Sequence, residues 1–118
     1  MGDEHSSDFW ATLERLIADS QIVIDRPKGS AHPKYPHLVY PLDYGYLENT
    51  TSMDGNGIDL WRGSCSQPAL CGIVVTVDRM KRDSEIKLLL GCTKDEISAV
   101  LAFHNNSQWM KALWIPYQ

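Results

Sequence analysis

The sequence has no excess of positive charge, few cysteines and no long apolar run. Its 11 Lys and Arg residues stand against 15 Asp and Glu, for a formal net charge of −4, which argues against a broad cationic face for nucleic acid. The 3 cysteines are odd in number and contain no Cys-x-x-Cys pair, which argues against a disulfide framework and against a zinc site.

Membrane-spanning and secretory segments are also missing from the pattern. No stretch approaches the roughly 18 consecutive apolar residues that cross a bilayer. The Met1–His5 run is polar and acidic, without the apolar segment of a signal peptide. We therefore expect a cytoplasmic protein with neither a nucleic-acid nor a membrane partner.

What remains is ordinary globular composition. The 118 residues are 43% hydrophobic and 22% charged, as in a folded chain of single-domain size. We find no linker, repeat or low-complexity tract, so residues 1–118 are expected to form one domain.

Two segments have helical signals. Apolar residues recur at helical spacing from Phe9 to Ile17, which predicts a helix over about residues 7–19 with Ser6 or Ser7 as its cap. Thr93–Glu96 has the pattern of a capping box and predicts a second helix, which turns Ile97 and Val100 toward the core.

Short β-branched and apolar runs separated by turn residues predict strands. The first is Gln21–Asp25. The others are Leu38–Tyr40, Tyr44–Leu47, Ile58–Arg62, Ala69–Val77, Ile86–Gly91 and Lys111–Tyr117. The expected fold is mainly β with flanking helices (α+β): a small OB-like barrel of five to six strands, an N-terminal helix and one helix in the C-terminal half.

The most chemically suggestive segment is the acidic turn Asp54–Asp59. Its two terminal carboxylates flank Gly55 and Gly57, which permit positive φ and a tight turn that brings both side chains to one rim. Mg²⁺ takes oxygen ligands and commonly one or two carboxylates. Taken alone, however, an Asn-Gly turn between strands is more typical of a solvated hairpin.

A second motif lies just upstream and changes the interpretation of this turn. The run Tyr40-Pro41-Leu42-Asp43-Tyr44-Gly45-Tyr46 precedes the acidic turn. In order and spacing the two motifs resemble the Tyr-Pro-x-x-Tyr-Gly-Tyr run and the following Asp-x-Asp-Pro-x-Asp metal signature of the soluble (family I) inorganic pyrophosphatases. The chain thus looks like a short and divergent member of that family.

The resemblance implies a hydrolase of phosphorus anhydrides, with inorganic pyrophosphate as the expected substrate and phosphate as the product. It implies a water activated between divalent ions, Mg²⁺ with Mn²⁺ as the alternative. It also implies a small phosphate-containing ligand and a homo-oligomer.

The resemblance also assigns residues. Asp54, Asp59 and Tyr44 are the expected catalytic residues. The metal ligands implied are Asp54, Asp59, Asp78, Glu85 and Asp25, with Asp83 as an alternative occupant in the same loop. The implied phosphate contacts are Tyr44, Lys34 and Lys87. Arg26 and Lys28, in the loop after the first strand, are candidate substitutes for a phosphate-gripping arginine that this shorter chain lacks.

The sequence departs from the family pattern at the position of the base. Asn56 replaces the middle aspartate of the signature, and an amide orients a water but cannot take its proton. The family's late Tyr-Lys phosphate clamp has no clear counterpart, and the nearest residues are His104–Asn106. These departures leave three alternatives open: an inactive metal- and phosphate-binding module, a hydrolase of a larger diphosphate, and a barrel with a purely structural acidic turn.

Overall fold

The computed structural model describes residues 4–118, so the signal-peptide prediction on Met1–His5 falls partly outside the described residues. Two helices and six strands follow one another along the chain. They are α1 (Ser6–Ala18), β1 (Ile22–Arg26), β2 (Asp43–Leu47), β3 (Asp59–Arg62), β4 (Leu70–Asp78), β5 (Asp83–Leu90), α2 (Lys94–Asn105) and β6 (Met110–Pro116). Over residues 4–118, no helix is long and apolar enough to span a membrane.

Helix α1 is confirmed, but the prediction of a serine cap is wrong. The helix begins at Ser6, and the N-cap residue is His5, whose side chain makes no capping hydrogen bond. His5 already has helical backbone angles, and its carbonyl accepts from the amide of Phe9 at 3.0 Å. The first turn therefore closes before either serine can act as a cap.

The capping box of α2 is confirmed in both directions. The Thr93 hydroxyl accepts from the Glu96 amide at 3.2 Å, and the Glu96 carboxylate accepts from the Thr93 amide at 2.9 Å. The same carboxylate accepts from the Ser64 amide at 3.1 Å. Glu96 thus ties the start of α2 to the loop that follows β3.

The six strands form one mixed sheet in the order β1-β2-β3-β5-β4-β6. The pairing of β3 with β5 is parallel and the other pairings are antiparallel. Ile24 of β1 and Ile115 of β6, at opposite ends of this order, pack against the same buried cluster, which indicates that the sheet curls around it. The expected fold class, mainly β with flanking helices, is confirmed.

Alternation along the strands divides the core between the two faces of the sheet. Leu60 and Leu88 belong to the cluster covered by α1, whereas their neighbours Trp61 and Leu89 belong to the cluster covered by α2. The buried side chains on the α1 side are Trp10, Leu47, Leu60, Ile73, Leu88 and Leu90. Those on the α2 side are Tyr40, Leu42, Tyr44, Trp61, Val74, Leu89 and Val100.

The predicted strand Leu38–Tyr40 is wrong. This segment makes one isolated bridge, between Ala31 and Val39, and folds back on its own loop. The Tyr40 amide donates to the Ser30 carbonyl at 3.0 Å. Prolines before and after the segment remove backbone donors, so a longer ladder cannot form there.

Candidate metal and phosphate site

Three carboxylates converge at one end of the sheet. One oxygen from each of Asp54, Asp59 and Glu85 lies within 4.8 Å of the other two. Asp54 is exposed in the loop before β3, Asp59 begins β3 and is half-buried, and Glu85 is buried in β5. Among residues 4–118, these three form the one group of acidic, His or Cys side chains that is close enough to hold a metal ion.

Strand register explains why two of these carboxylates meet. Trp61 pairs with Leu89 in the parallel β3–β5 ladder. Asp59 is two residues before Trp61, and Glu85 and Lys87 are four and two residues before Leu89. All three therefore point to the α2 face of the sheet, and the same register brings Asp59 beside Lys87.

Lys87 is the cation at the centre of the site and is only 5% exposed. Its Nζ donates to Asp59 Oδ2 at 2.9 Å and to the Tyr44 hydroxyl at 2.8 Å, and it lies 3.9 Å from Glu85 Oε1. Burial, followed by the nearby Asp59 carboxylate, raises the pKa of Tyr44 well above its ordinary value. Tyr44 is therefore a neutral hydroxyl at neutral pH, able to hold a proton beside a phosphate oxygen.

Glu85 carries a buried oxygen without a hydrogen-bond donor. The residue is 5% exposed, yet Oε1 accepts no hydrogen bond in the described part of the chain. Burial, with the Asp59 and Asp54 carboxylates, raises the pKa of Glu85 against the opposing effect of Lys87. A buried acceptor without a donor is costly. Three clustered carboxylate oxygens, one of them without a hydrogen bond, fit a hard divalent ion such as Mg²⁺ or Mn²⁺.

The loop holds Asp54 in place through its own hydrogen bonds. Asp54 Oδ1 accepts from the Asn56 amide at 2.9 Å and from the Ser52 hydroxyl at 2.8 Å. Burial acts to raise the pKa of Asp54, but these hydrogen bonds outweigh it and the pKa is lowered. Asp54 thus stays ionised at neutral pH and presents a fixed carboxylate to the other two.

Both glycines of this loop permit positive φ, but only Gly55 adopts it. Gly55 has φ 86°, a conformation that favours glycine. Gly57 is not among the residues with positive φ. A Cβ there would lie 2.9 Å from the Tyr46 ring and 3.1 Å from the Leu47 carbonyl oxygen, so close packing against β2 requires the glycine.

An aromatic surface extends the site toward β1. Arg26 Nη1 donates a very short hydrogen bond to the Tyr40 hydroxyl. The Arg26 guanidinium lies 5.6 Å from the Tyr40 ring centroid and 5.9 Å from that of Tyr44. Tyr44 also accepts a hydrogen bond from Lys87. Arg26 is therefore a second cation near the carboxylates, linked to them by way of Tyr40 and Tyr44.

This arrangement can be compared with solved structures. An inorganic pyrophosphatase of Helicobacter pylori superposes with a TM-score of 0.64 at 18% identity, covering 86% of each chain. An inorganic pyrophosphatase of Coxiella burnetii gives a TM-score of 0.57 at 16% identity, covering 81% of this chain and 84% of the other. The chain has the inorganic pyrophosphatase fold. No protein-family model and no curated protein matches the sequence.

On this pyrophosphatase fold, other acidic residues with predicted roles lie outside the group of three. Asp78 Oδ1 accepts from the backbone amides of Met80 and Lys81 at 2.9 and 3.1 Å and so closes the β4–β5 turn. Asp83 pairs with Asp78 across that hairpin. Asp25 is exposed on β1. The assignments of Asp78 and Asp25 as metal ligands stay predictions, and between Asp83 and Glu85 the geometry favours Glu85.

Two of the predicted phosphate contacts lie in the loop between β1 and β2. Lys28 and Lys34 are both exposed. The Lys28 amide donates to Asp43 Oδ1 at 2.8 Å, and the Lys34 amide donates to His32 Nδ1 at 3.0 Å. Backbone bonds thus shape this loop, while the two ammonium groups extend from it.

Sequence reasoning missed the role of His104. This residue is buried, and its Nε2 accepts from Trp61 Nε1 at 3.0 Å. Its neighbour Asn105 binds backbone groups of α2 and β6. Of the segment His104–Asn106, His104 is therefore part of the core, whereas Asn106 is exposed at the end of α2. The spacing of His104 from Val100 on α2 was the one available signal.

Burial of His104 predicts a pH dependence of stability. Burial, followed by the charge of Lys87, lowers the pKa of His104 to about 3. An unfolded histidine titrates near 6.5, so between pH 6.5 and 3 the unfolded state binds a proton that the folded state excludes. The free energy of unfolding therefore decreases as the pH is lowered through this range. From pH 7 to pH 5 this one group lowers the free energy of unfolding by about 2 kcal/mol.

A His104→Gln variant tests this expectation, because glutamine still accepts from Trp61 but does not titrate. Urea unfolding at pH 7, 6 and 5 should show a shallower loss of stability than in the parent. The variant His37→Gln, which replaces an exposed histidine, is the control and should keep the parent slope. If the free energy of unfolding fell equally steeply with decreasing pH in the parent and in His104→Gln, His104 would not be the source of the pH dependence.

Proposed function

We propose that this chain is a metal-dependent phosphoanhydride hydrolase, with inorganic pyrophosphate as its simplest substrate. The observation that carries the proposal is the buried Oε1 of Glu85 within a group of three carboxylates, because in the described part of the chain it accepts no hydrogen bond and has only an ion-pair contact with Lys87 at 3.9 Å. It is supported by the fold, since both solved neighbours are named inorganic pyrophosphatases. The proposal treats residues 1–118 as one pyrophosphatase-like domain.

Asp54, Asp59 and Glu85 would hold the divalent ions in this proposal, Mg²⁺ or alternatively Mn²⁺. When bound, such ions supply a Lewis acid that activates water and neutralises charge on the departing phosphate. The Asp54–Asn56 loop orients its carboxylate before substrate arrives. Asp78 and Asp25 would complete the ligand set only if their side chains turn toward the three.

The cations and tyrosines would position the substrate. Lys87 and the neutral Tyr44 hydroxyl lie beside Asp59, where a phosphate oxygen can accept from both. Arg26, held against Tyr40, offers a planar fork on the other side of Tyr44. Lys28 and Lys34 would close over the phosphates from the loop. Phosphoryl transfer depends largely on such positioning and charge stabilisation.

Asn56 favours a second candidate, a module that binds metal and phosphate without turnover. The backbone N–H of Asn56 donates to Asp54 and holds that carboxylate in place. The Asn56 side chain, however, cannot accept a proton from water. An active enzyme would therefore rely on the carboxylates and bound ions alone to activate the water. We further propose a homo-oligomer, as the family resemblance implies.

Phosphate release from pyrophosphate separates these candidates. We expect the purified chain to release phosphate in the presence of Mg²⁺ or Mn²⁺ and to lose this activity when EDTA is added. A parallel calorimetric titration with each ion measures binding directly. Ion binding without release from pyrophosphate or any nucleoside diphosphate would favour the binding module, and neither binding nor release would overturn both proposals.

A further inference from the structure

A second feature adjoins the three carboxylates: a groove of about 820 Å³ at the tip of the β4–β5 hairpin. Two of its lining residues are chain neighbours of the site. Met53 precedes Asp54, and Asp83 lies on the same face of β5 as Glu85, two residues away. The groove therefore adjoins the loop and the strand that carry the proposed metal ligands.

One wall of the groove is an aromatic surface that is held in place. The Trp109 carbonyl accepts from the Arg79 amide at 3.0 Å, and its amide donates to the Ser107 hydroxyl at 3.0 Å. The Arg79 guanidinium lies 5.3 Å from the Trp109 ring centroid. Trp109 as a residue is still 38% exposed, which leaves room for a second flat group beside it.

The rest of the lining combines two apolar residues, Met53 and Val77, with polar residues of mixed charge. Arg82, at the hairpin tip, has φ 60°, a conformation that side chains rarely adopt, and its side chain lines the groove. Asp78 and Asp83 also line the groove. Two arginines and two aspartates give no net charge, so the groove suits a ligand that combines an anion with hydroxyl donors. Pyrophosphate offers no aromatic ring and no donors for these groups.

We propose that this groove is a nucleoside subsite and that the substrate is a nucleoside diphosphate. The base would stack on Trp109, the ribose hydroxyls would donate to Asp83, and Arg82 would contact the phosphate nearer the sugar. A water oxygen would add to the terminal phosphorus as the anhydride P–O bond breaks, which yields a nucleoside monophosphate, phosphate and one proton. The subsite rests on the proposed function only for this last step.

Adenosine 5′-monophosphate tests the subsite separately from turnover, because it contains no anhydride. Equilibrium dialysis in EDTA should show saturable binding to the parent chain. Trp109→Leu should weaken this binding about tenfold, since stacking of a base on an aromatic ring is worth that much or more. Arg82→Gln, at an exposed turn, should weaken it several-fold without disturbing the fold. Phe9→Leu, which replaces an exposed aromatic residue on α1, is the matched control and should bind as the parent does.

Several outcomes would overturn the subsite: no binding by the parent, binding unchanged in both Trp109→Leu and Arg82→Gln, or equal weakening in Phe9→Leu.

Turnover gives a second readout of the subsite. If adenosine 5′-diphosphate is hydrolysed, Trp109→Leu should raise its KM about tenfold and leave the KM for pyrophosphate unchanged. Monophosphate binding without any phosphate release would reject the proposed hydrolase and retain the subsite.

Discussion

Replacing Asp59 by asparagine is expected to lower metal-dependent phosphate release on the order of a hundredfold or more. Asp59 is one of the three clustered carboxylates and also the ion-pair partner of Lys87, at 2.9 Å. Asparagine keeps the shape of the side chain but removes its charge. The variant therefore loses a metal ligand and leaves Lys87 with Glu85 as its remaining carboxylate neighbour.

The measurement is kcat/KM for phosphate release over a titration of Mg²⁺. Asp59→Asn should need more Mg²⁺ for half-maximal activity and should reach a lower maximum. Glu85→Gln should behave similarly if Glu85, rather than Asp83, belongs to the metal site. Asp19→Asn, an exposed substitution at the end of α1, is the control. Parent-like activity in folded Asp59→Asn would reject the proposed site.

Replacing Gly45 by alanine is expected to prevent stable folding. Gly45 lies between two tyrosines in β2 and pairs with Ile24 on one side and Leu60 on the other. A Cβ at this position would lie 1.8 Å from the Val23 carbonyl oxygen and 2.8 Å from its carbon. Both are backbone atoms of β1, so relief requires the two strands to separate. We expect a loss of more than about 4 kcal/mol, which few single substitutions reach.

Circular dichroism and urea unfolding measure this loss. Gly29→Ala is the matched control, because a Cβ at Gly29 would meet nothing within 4 Å although its φ is 87°. The backbone conformation alone should cost about 1–2 kcal/mol there. If Gly45→Ala were as stable as Gly29→Ala, the close approach of β1 and β2 would be wrong.

Local patterns predicted most of the secondary structure. The spacing from Phe9 to Ile17 predicted α1, and the Thr93–Glu96 box predicted the start of α2, because both depend on interactions within a few residues. The strand around Lys87 was also predicted from its β-branched and apolar content. The prediction failed for Leu38–Tyr40, since a strand exists only if a partner strand supplies its hydrogen bonds.

Part of the candidate site was predicted from the sequence, and part of it depended on the fold. The tyrosine run and the acidic turn predicted Asp54, Asp59 and Tyr44, which the fold brings to one end of the sheet. The resemblance already named Glu85 with Asp83 as the alternative, and the position of β5 favours Glu85, because only its oxygen belongs to the group of three. His104 was missed because its partner Trp61 lies 43 residues away.

The sequence by itself determined the helices, most strands and the acidic turn between the Tyr44 region and β3, because turn chemistry and side-chain periodicity act locally. Only the tertiary structure decided that β3 runs parallel to β5. That pairing places Lys87 against Asp59, buries a Glu85 oxygen that lacks a hydrogen bond beside them and leaves the Trp109 groove at their edge. Such juxtapositions depend on long-range register, for which a single sequence carries no local signal.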